Sequence, residues 1–230
     1  MIRGRRRDWF LDVIDDYFKS NSHVTSTIGY FRPSALSQCI REMQYSYIGV
    51  AKYPDNSLSS IKRMVRGIWH HDMWEKIFIN SGIPVKVGKD YPVSCLCPCI
   101  MGTSDIIIEN SLGDNQLIDF KSYANAYSPP WGHLAQWSMY AYLLNMNYGM
   151  NVSKGWLVRE DPISLELEPF PVKLEMEFIL DIMHGLRVIE RYSVEKLMFP
   201  KDMRCGTKRA WGSGCSLYDF CNSEKGDNPW

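Results

Sequence analysis

The sequence predicts one α/β domain with helical and cysteine-bearing extensions. Three observations predict it. Several stretches repeat apolar residues at helical spacing, short β-branched runs lie between them, and the order is helices, a strand meander, a helix, more strands and a last helix. At 230 residues the chain is long enough for one large domain, and with 45% hydrophobic and 23% charged residues its composition is that of a globular protein. There is no internal repeat and no low-complexity linker.

Residues 8 to 19 read as an amphipathic helix. In RPSALSQCIREMQYSYIG, Pro33 and Ser34 supply a helix start, and Ala35, Leu36, Cys39, Ile40 and Met43 recur at helical spacing. AKYPDNSLSS is rich in turn residues and reads as a loop; a helix from about Leu58 to Ile79 follows and contains GIWHHDMWEKIFI. Pro84, Gly88 and Pro92 break the chain into short extended pieces. Two apolar runs around Asp105 and Asp119 then predict a hairpin. After the breaker Ser128–Pro130, WGHLAQWSMYAYLLNM has few polar residues and predicts a buried helix. KGWLVRE and ISLELEP read as strands, the second alternating at period two. LEMEFILDIMHGLRVIERYSVEKLM is a long amphipathic helix, and the tail from Phe199 holds Gly, Cys and Lys without periodicity.

Lys plus Arg equals Asp plus Glu at 26 each, so binding to a polyanion must rest on local patches. Three exist: Arg3, Arg5, Arg6 and Arg7; Lys62, Arg63 and Arg66; and Lys201, Arg204, Lys208 and Arg209. Each also reads as solvated surface. The basic N-terminus runs into DWFLDVIDDYFKS, whose Asp12, Asp15 and Asp16 are foreign to a secretion signal, and no window approaches the roughly 18 apolar residues of a membrane span. A cytoplasmic protein is the expectation. Its seven cysteines then point to metal thiolates or core packing, not a disulfide framework.

The hairpin GTSDIIIENSLGDNQLIDFKSY poses the chemical question. Residues two apart on a strand share a face, so Asp119 and Lys121 project together, away from Ile118 and Phe120. An odd-length turn, for instance Asn110 to Asp114, brings Asp105 opposite Asp119 on the same face. Two neighbouring carboxylates repel, and the arrangement makes sense if a cation sits between them; Mg²⁺ and Mn²⁺ choose such hard oxygen ligands. The other reading is a turn Asp105 and a sheet-edge pair of Asp119 with Lys121. In the preceding helix, His71 and Glu75 lie four apart on one face, with His70 as a competitor for His71.

Taken in order, Gly67, His71 and Glu75, then Gly102 and Asp105, then Asp119-Phe120-Lys121, then Gln136 and Tyr140 resemble the motifs of RecB-family nucleases in the PD-(D/E)XK superfamily. The resemblance implies a restriction-endonuclease-like core, a central mixed sheet flanked by helices. It implies that His71, Asp105, Asp119 and the Phe120 backbone carbonyl bind Mg²⁺ or Mn²⁺, that Lys121 orients the attacking water, that Glu75 joins the catalytic set, and that Gln136 and Tyr140 shape the site and touch DNA. One metal or two would fit.

Cys39 near the front and Cys205, Cys215 and Cys221 at the end resemble the iron-sulfur subset of the same family, which includes CRISPR-associated RecB-like and AddB-type nucleases. CSLYDFC carries that pattern, whereas the gap from Cys205 to Cys215 departs from it. The implied group is a [4Fe-4S] cluster, with zinc as the alternative, joining residues 30–50 to 199–222 around a core of about 60–198 in a single domain of 1–230. Cys95, Cys97 and Cys99 would share one strand face but for Pro98, and read as packing residues, with a competing cluster as the other reading. Trp69, Trp74, Trp131 and Trp137 offer stacking surfaces for unpaired bases, or core. The expected activity is a metal-dependent DNA nuclease, an exonuclease on single strands or ends; an endonuclease on flaps or junctions and a non-catalytic DNA-binding module are the competing readings.

Overall fold

The computed structural model describes residues 9–20, 28–49, 58–82, 91–109, 114–122, 128–161, 164–201, 221–222 and 229. Its organising strand is β4 (Asn115–Ser122), in which Leu117, Ile118, Asp119 and Phe120 are all buried because both faces are covered. An antiparallel partner, β3 (Ile106–Glu109), lies on one side and a parallel one, β5 (Lys154–Glu160), on the other; β6 (Leu167–Lys173) closes the order β3-β4-β5-β6. A two-stranded hairpin of β1 (Tyr91–Leu96) and β2 (Cys99–Ser104) precedes this mixed sheet.

The parallel pair β4 and β5 requires a crossover, and α4 (Trp131–Tyr148) supplies it. Its weakly polar sequence is explained by its place: Ala135, Trp137, Met139, Ala141, Leu143 and Leu144 are buried. They form the main core with Ile107, Leu117 and Leu157 of the sheet and with Ile179, Ile182, Met183, Leu186 and Ile189 of α5 (Met176–Val194). Gly155 lets α4 approach this closely. A Cβ there would collide with the Leu117 carbonyl oxygen and come within 2.8 Å of the Trp137 ring. The opposite face carries a smaller cluster, Ile106, Ile118, Phe120 and Val158, covered by Trp74 and Phe78 of α3 (Leu58–Asn80). At the front, α1 (Trp9–Ser20) docks on α3 through the pair Lys62 Nζ to Asp15 Oδ1, 2.8 Å apart.

Two expectations about elements are corrected. The second helix is two pieces, a 3-10 turn at Pro33–Ser37 and α2 (Ile40–Ile48), because Gln38 and Cys39 are extended, at ψ 163 and 155. Cys39 is the N-cap of α2, its Sγ accepting from the Glu42 backbone N–H at 3.3 Å. The last strand lies at Leu167–Lys173, not at ISLELEP: Leu165 has a φ of 61, Ser164 N–H donates to Asp161 Oδ1, and this turn consumes the start of the alternating run. Pro169 and Pro171 are tolerated because β6 is an edge strand. The break expected at Pro98 is present: the chain reverses at Cys97 and Pro98 and places Cys95 on β1 and Cys99 on β2.

No helix among the described residues is long and apolar enough to cross a membrane. The basic cluster Arg3 to Arg7, the residues Arg204, Lys208 and Arg209, and the expected cluster ligands Cys205 and Cys215 lie outside the described residues.

Candidate active site

β3 and β4 pair in the register Ile106 with Ile118 through Glu109 with Asn115, leaving the five residues 110–114 as an odd-length connection. Continued by one residue, the register sets Asp105, at the break between β2 and β3, opposite Asp119. Asp119 is fully buried and points with Lys121 toward α4, while Phe120 points toward α3. Lys121 Nζ stands 2.7 Å from Asp119 Oδ1, and His71 Nδ1 stands 3.3 Å from Asp105 Oδ2.

Burying two carboxyl groups together is costly unless their charge is offset. As ionised groups they are poorly served, since Asp105 Oδ2 and both Asp119 oxygens lack an aligned hydrogen-bond donor despite the nearby cations. A shared proton reconciles them. Burial pushes Asp119 up to about 8, with Lys121 pulling the other way and Asp105 adding to the rise. For Asp105 burial acts upward too, but the close approach of His71 and of Asp119, with the Lys121 charge, outweighs it and holds this carboxyl well below the usual range. Burial disfavours the charged forms of Lys121 and His71, yet the neighbouring carboxylates prevail and raise both. Of the two carboxyls, Asp119 is thus the one whose environment favours holding a proton, and Lys121 the neighbouring cation.

The sequence left His70 and His71 as competitors. Only His71 reaches Asp105; His70 Nδ1 lies 2.6 Å from Glu160 Oε1 at the end of β5. Glu75 is half-buried, one turn beyond His71 on α3. Gln136 and Tyr140 come to the site from α4. The buried Tyr140 hydroxyl meets the Gln136 side chain and the Thr103 backbone, and burial together with Asp105 and Asp119 pushes its pKa up. Beside them, Tyr30, Arg32, Ser34, Ser94, Thr103 and Tyr140 line an open cavity of about 660 Å³. Gly102 lies in its wall, where a Cβ would come within 3.0 Å of Pro33 and 3.1 Å of Tyr140.

One site residue escaped the sequence reading. His133, in the first turn of α4, is lowered to about 4 by burial and then by the Lys121 charge, so it is a neutral imidazole at pH 7. The signal was available, since residues 133, 136 and 140 are spaced i, i+3, i+7 on one helical face. For two of the four tryptophans the core reading holds: Trp74 stacks on Phe120 at 5.5 Å and 5°, and Trp137 is fully buried with its Nε1–H donating to the Leu117 carbonyl at 3.1 Å. Trp69 and Trp131 are exposed.

Of the thiols, Cys221 is buried against Tyr45 of α2, the helix that Cys39 caps. Among the described residues, no three His, Cys, Asp or Glu side chains stand as a set ready to hold a metal ion. The orphaned oxygens of Asp105 and Asp119 are nevertheless hard, anionic donors of the kind Mg²⁺ and Mn²⁺ take, once the Asp119 proton leaves.

No protein-family model and no curated protein sequence matches this chain. Solved structures do. SSO0001 superposes with a TM-score of 0.59 at 16% identity, over 93% of this chain and 96% of that one. LHK-Exo in complex with dAMP gives a TM-score of 0.53 at 11% identity, over 74% and 90%; LHK-Exo comes from Laribacter hongkongensis. At such identities the likeness speaks for the fold alone: an α/β core with a mixed sheet flanked by helices.

Proposed function

We propose that this chain is a Mg²⁺- or Mn²⁺-dependent deoxyribonuclease of the RecB-like type that hydrolyses phosphodiester bonds, working from the ends of DNA and on single strands. The observation that carries the reading is the burial of Asp119 opposite Asp105, with Lys121 at 2.7 Å and His71 on the far side, in a fold shared with LHK-Exo. That LHK-Exo is known in complex with dAMP, a mononucleotide, supports release of single nucleotides.

His71, Asp105, Asp119 and the Phe120 carbonyl would hold the metal. When bound it supplies Lewis acidity toward the phosphate and lowers the pKa of water. To serve as a ligand Asp119 would be ionised, its proton released to solvent, so that it and Asp105 would offer two anionic oxygens. Lys121, kept charged by these carboxylates, orients the attacking water and offsets charge that develops on the phosphoryl oxygens. His133 stays neutral beside it, so the cation at the reacting centre remains Lys121. Tyr140, whose hydroxyl meets Gln136, borders the cavity with Arg32 and Tyr30, a polar and aromatic lining suited to a DNA strand. Glu75 is the member of the set with the least geometric support.

The tail fits a structural role. Cys221 packs on α2, capped by Cys39, and with Cys205 and Cys215 these thiolates would hold a [4Fe-4S] cluster or zinc whose ligation supplies folding energy to a segment poor in apolar anchors.

The test is end-labelled linear and circular single-stranded DNA incubated with Mn²⁺ or EDTA, beside Lys121→Ala. Loss of the linear substrate only, abolished by EDTA and by the substitution, is expected. Equal cleavage by wild type and variant refutes the site; cleavage of the circle converts the enzyme to an endonuclease.

A further inference from the structure

Helix α3 carries His71, and among the described residues its apolar grip on the sheet is small: Trp74 and Phe78 over Ile106, Ile118, Phe120 and Val158. Such a contact resists separation better than it resists rotation. Successive helical residues point about 100° apart, so slipping by one residue would exchange His71 for His70 or Asp72 at Asp105. Something must set the rotation.

Glu160 has the geometry to do so. It ends β5, opposite Ser122 in the parallel register, on the face that α3 covers, and only 1% of its surface is exposed. Its two oxygens meet two residues one turn apart on α3: Oε1 lies 2.6 Å from His70 Nδ1, an ion-pair distance without hydrogen-bond alignment, and Oε2 accepts the Trp74 Nε1–H at 3.1 Å. A carboxylate this buried is expensive unless it is paired, so the two contacts fix both the rotation and the axial position of the helix. Trp74 is further held flat against Phe120. Two adjacent histidines thus divide their work, His70 toward Glu160 and His71 toward Asp105.

We propose that Glu160 is a positioning residue for the metal site, acting through His70 and Trp74 to present His71 to Asp105. It rests on the metal-site reading above. The test is the Mn²⁺ affinity of the intact chain by titration calorimetry, with melting temperature recorded alongside, for wild type, Glu160→Ala, Glu160→Gln, His71→Ala and the double variant Glu160→Ala/His71→Ala. Glu160→Ala is expected to weaken Mn²⁺ binding by about 10- to 100-fold, the usual cost of removing a group that orients a ligand. Glu160→Gln, which keeps an acceptor for the Trp74 N–H, recovers most of the loss. In the His71→Ala background Glu160→Ala costs no further affinity, because its effect passes through His71. A merely structural Glu160 would lower the melting temperature without this dependence. Wild-type affinity in Glu160→Ala, or a loss that adds in full to that of His71→Ala, overturns the proposal while leaving the metal site standing. A wild-type chain that takes up no Mn²⁺ overturns the metal site itself. If Glu160→Ala does not fold, His70→Ala replaces it in the same cycle, with the same two outcomes.

Discussion

Asp119→Asn should stabilise the metal-free protein, and by an amount that grows with pH. Folding carries the Asp119 carboxyl from an ordinary value of 3.8 to about 8. Above pH 3.8 the unfolded chain has released this proton and the folded chain keeps it, so the folded state binds more protons and stability falls as pH rises. The contribution is fully present below pH 3.8 and is lost progressively to pH 8. One pKa unit is worth about 1.4 kcal/mol, so between pH 5 and pH 7 wild type gives up to about 3 kcal/mol that the asparagine variant does not. Asp105 is ionised throughout that window and adds no slope, while His71 titrates in both proteins and largely cancels in the difference. The assay is urea denaturation in EDTA at both values. An advantage of Asp119→Asn that widens by about 1 kcal/mol or more is expected; a difference independent of pH refutes the shared-proton description. Mn²⁺ should narrow the difference, since at 100 times its dissociation constant a ligand adds about 2.7 kcal/mol to the protein that binds it.

Other outcomes follow from the same geometry. Lys121→Ala should lower kcat on single-stranded DNA by about 10²- to 10³-fold with little change in KM, the signature of a charge needed in the transition state, read by initial rates. Gly155→Ala should cost about 3 kcal/mol or leave the chain unfolded, because its Cβ would overlap the Leu117 carbonyl and crowd Trp137; thermal melting measures it. Cys221→Ser should remove bound iron or zinc from protein purified without oxygen and lower its melting temperature, with metal analysis as the readout.

Much of this fold was legible because burial and period coincide. KGWLVRE became β5 at the same boundaries, and the polar-poor α4 is the helix enclosed between sheet and α5. The hairpin register was legible too, because side-chain alternation and an odd connection leave one way to face Asp105 toward Asp119. What failed involved competition between a pattern and a local turn. The alternation in ISLELEP gave way to a left-handed Leu165 secured by Asp161, and the helix through Cys39 gave way to an extended N-cap. The choice between His70 and His71 was beyond a linear reading. Each has its own carboxylate, and Glu160 comes from a strand nearly ninety residues away whose place beside β4 only the sheet order reveals.

The most direct measurement is the anomalous diffraction of crystals soaked in Mn²⁺, for wild type and Asp119→Asn. A wild-type peak at the Asp105 and Asp119 carboxylates beside His71, lost in the variant together with DNA cleavage, is the predicted result. A peak elsewhere, or none in an enzyme that still cuts DNA with Mn²⁺, would contradict it.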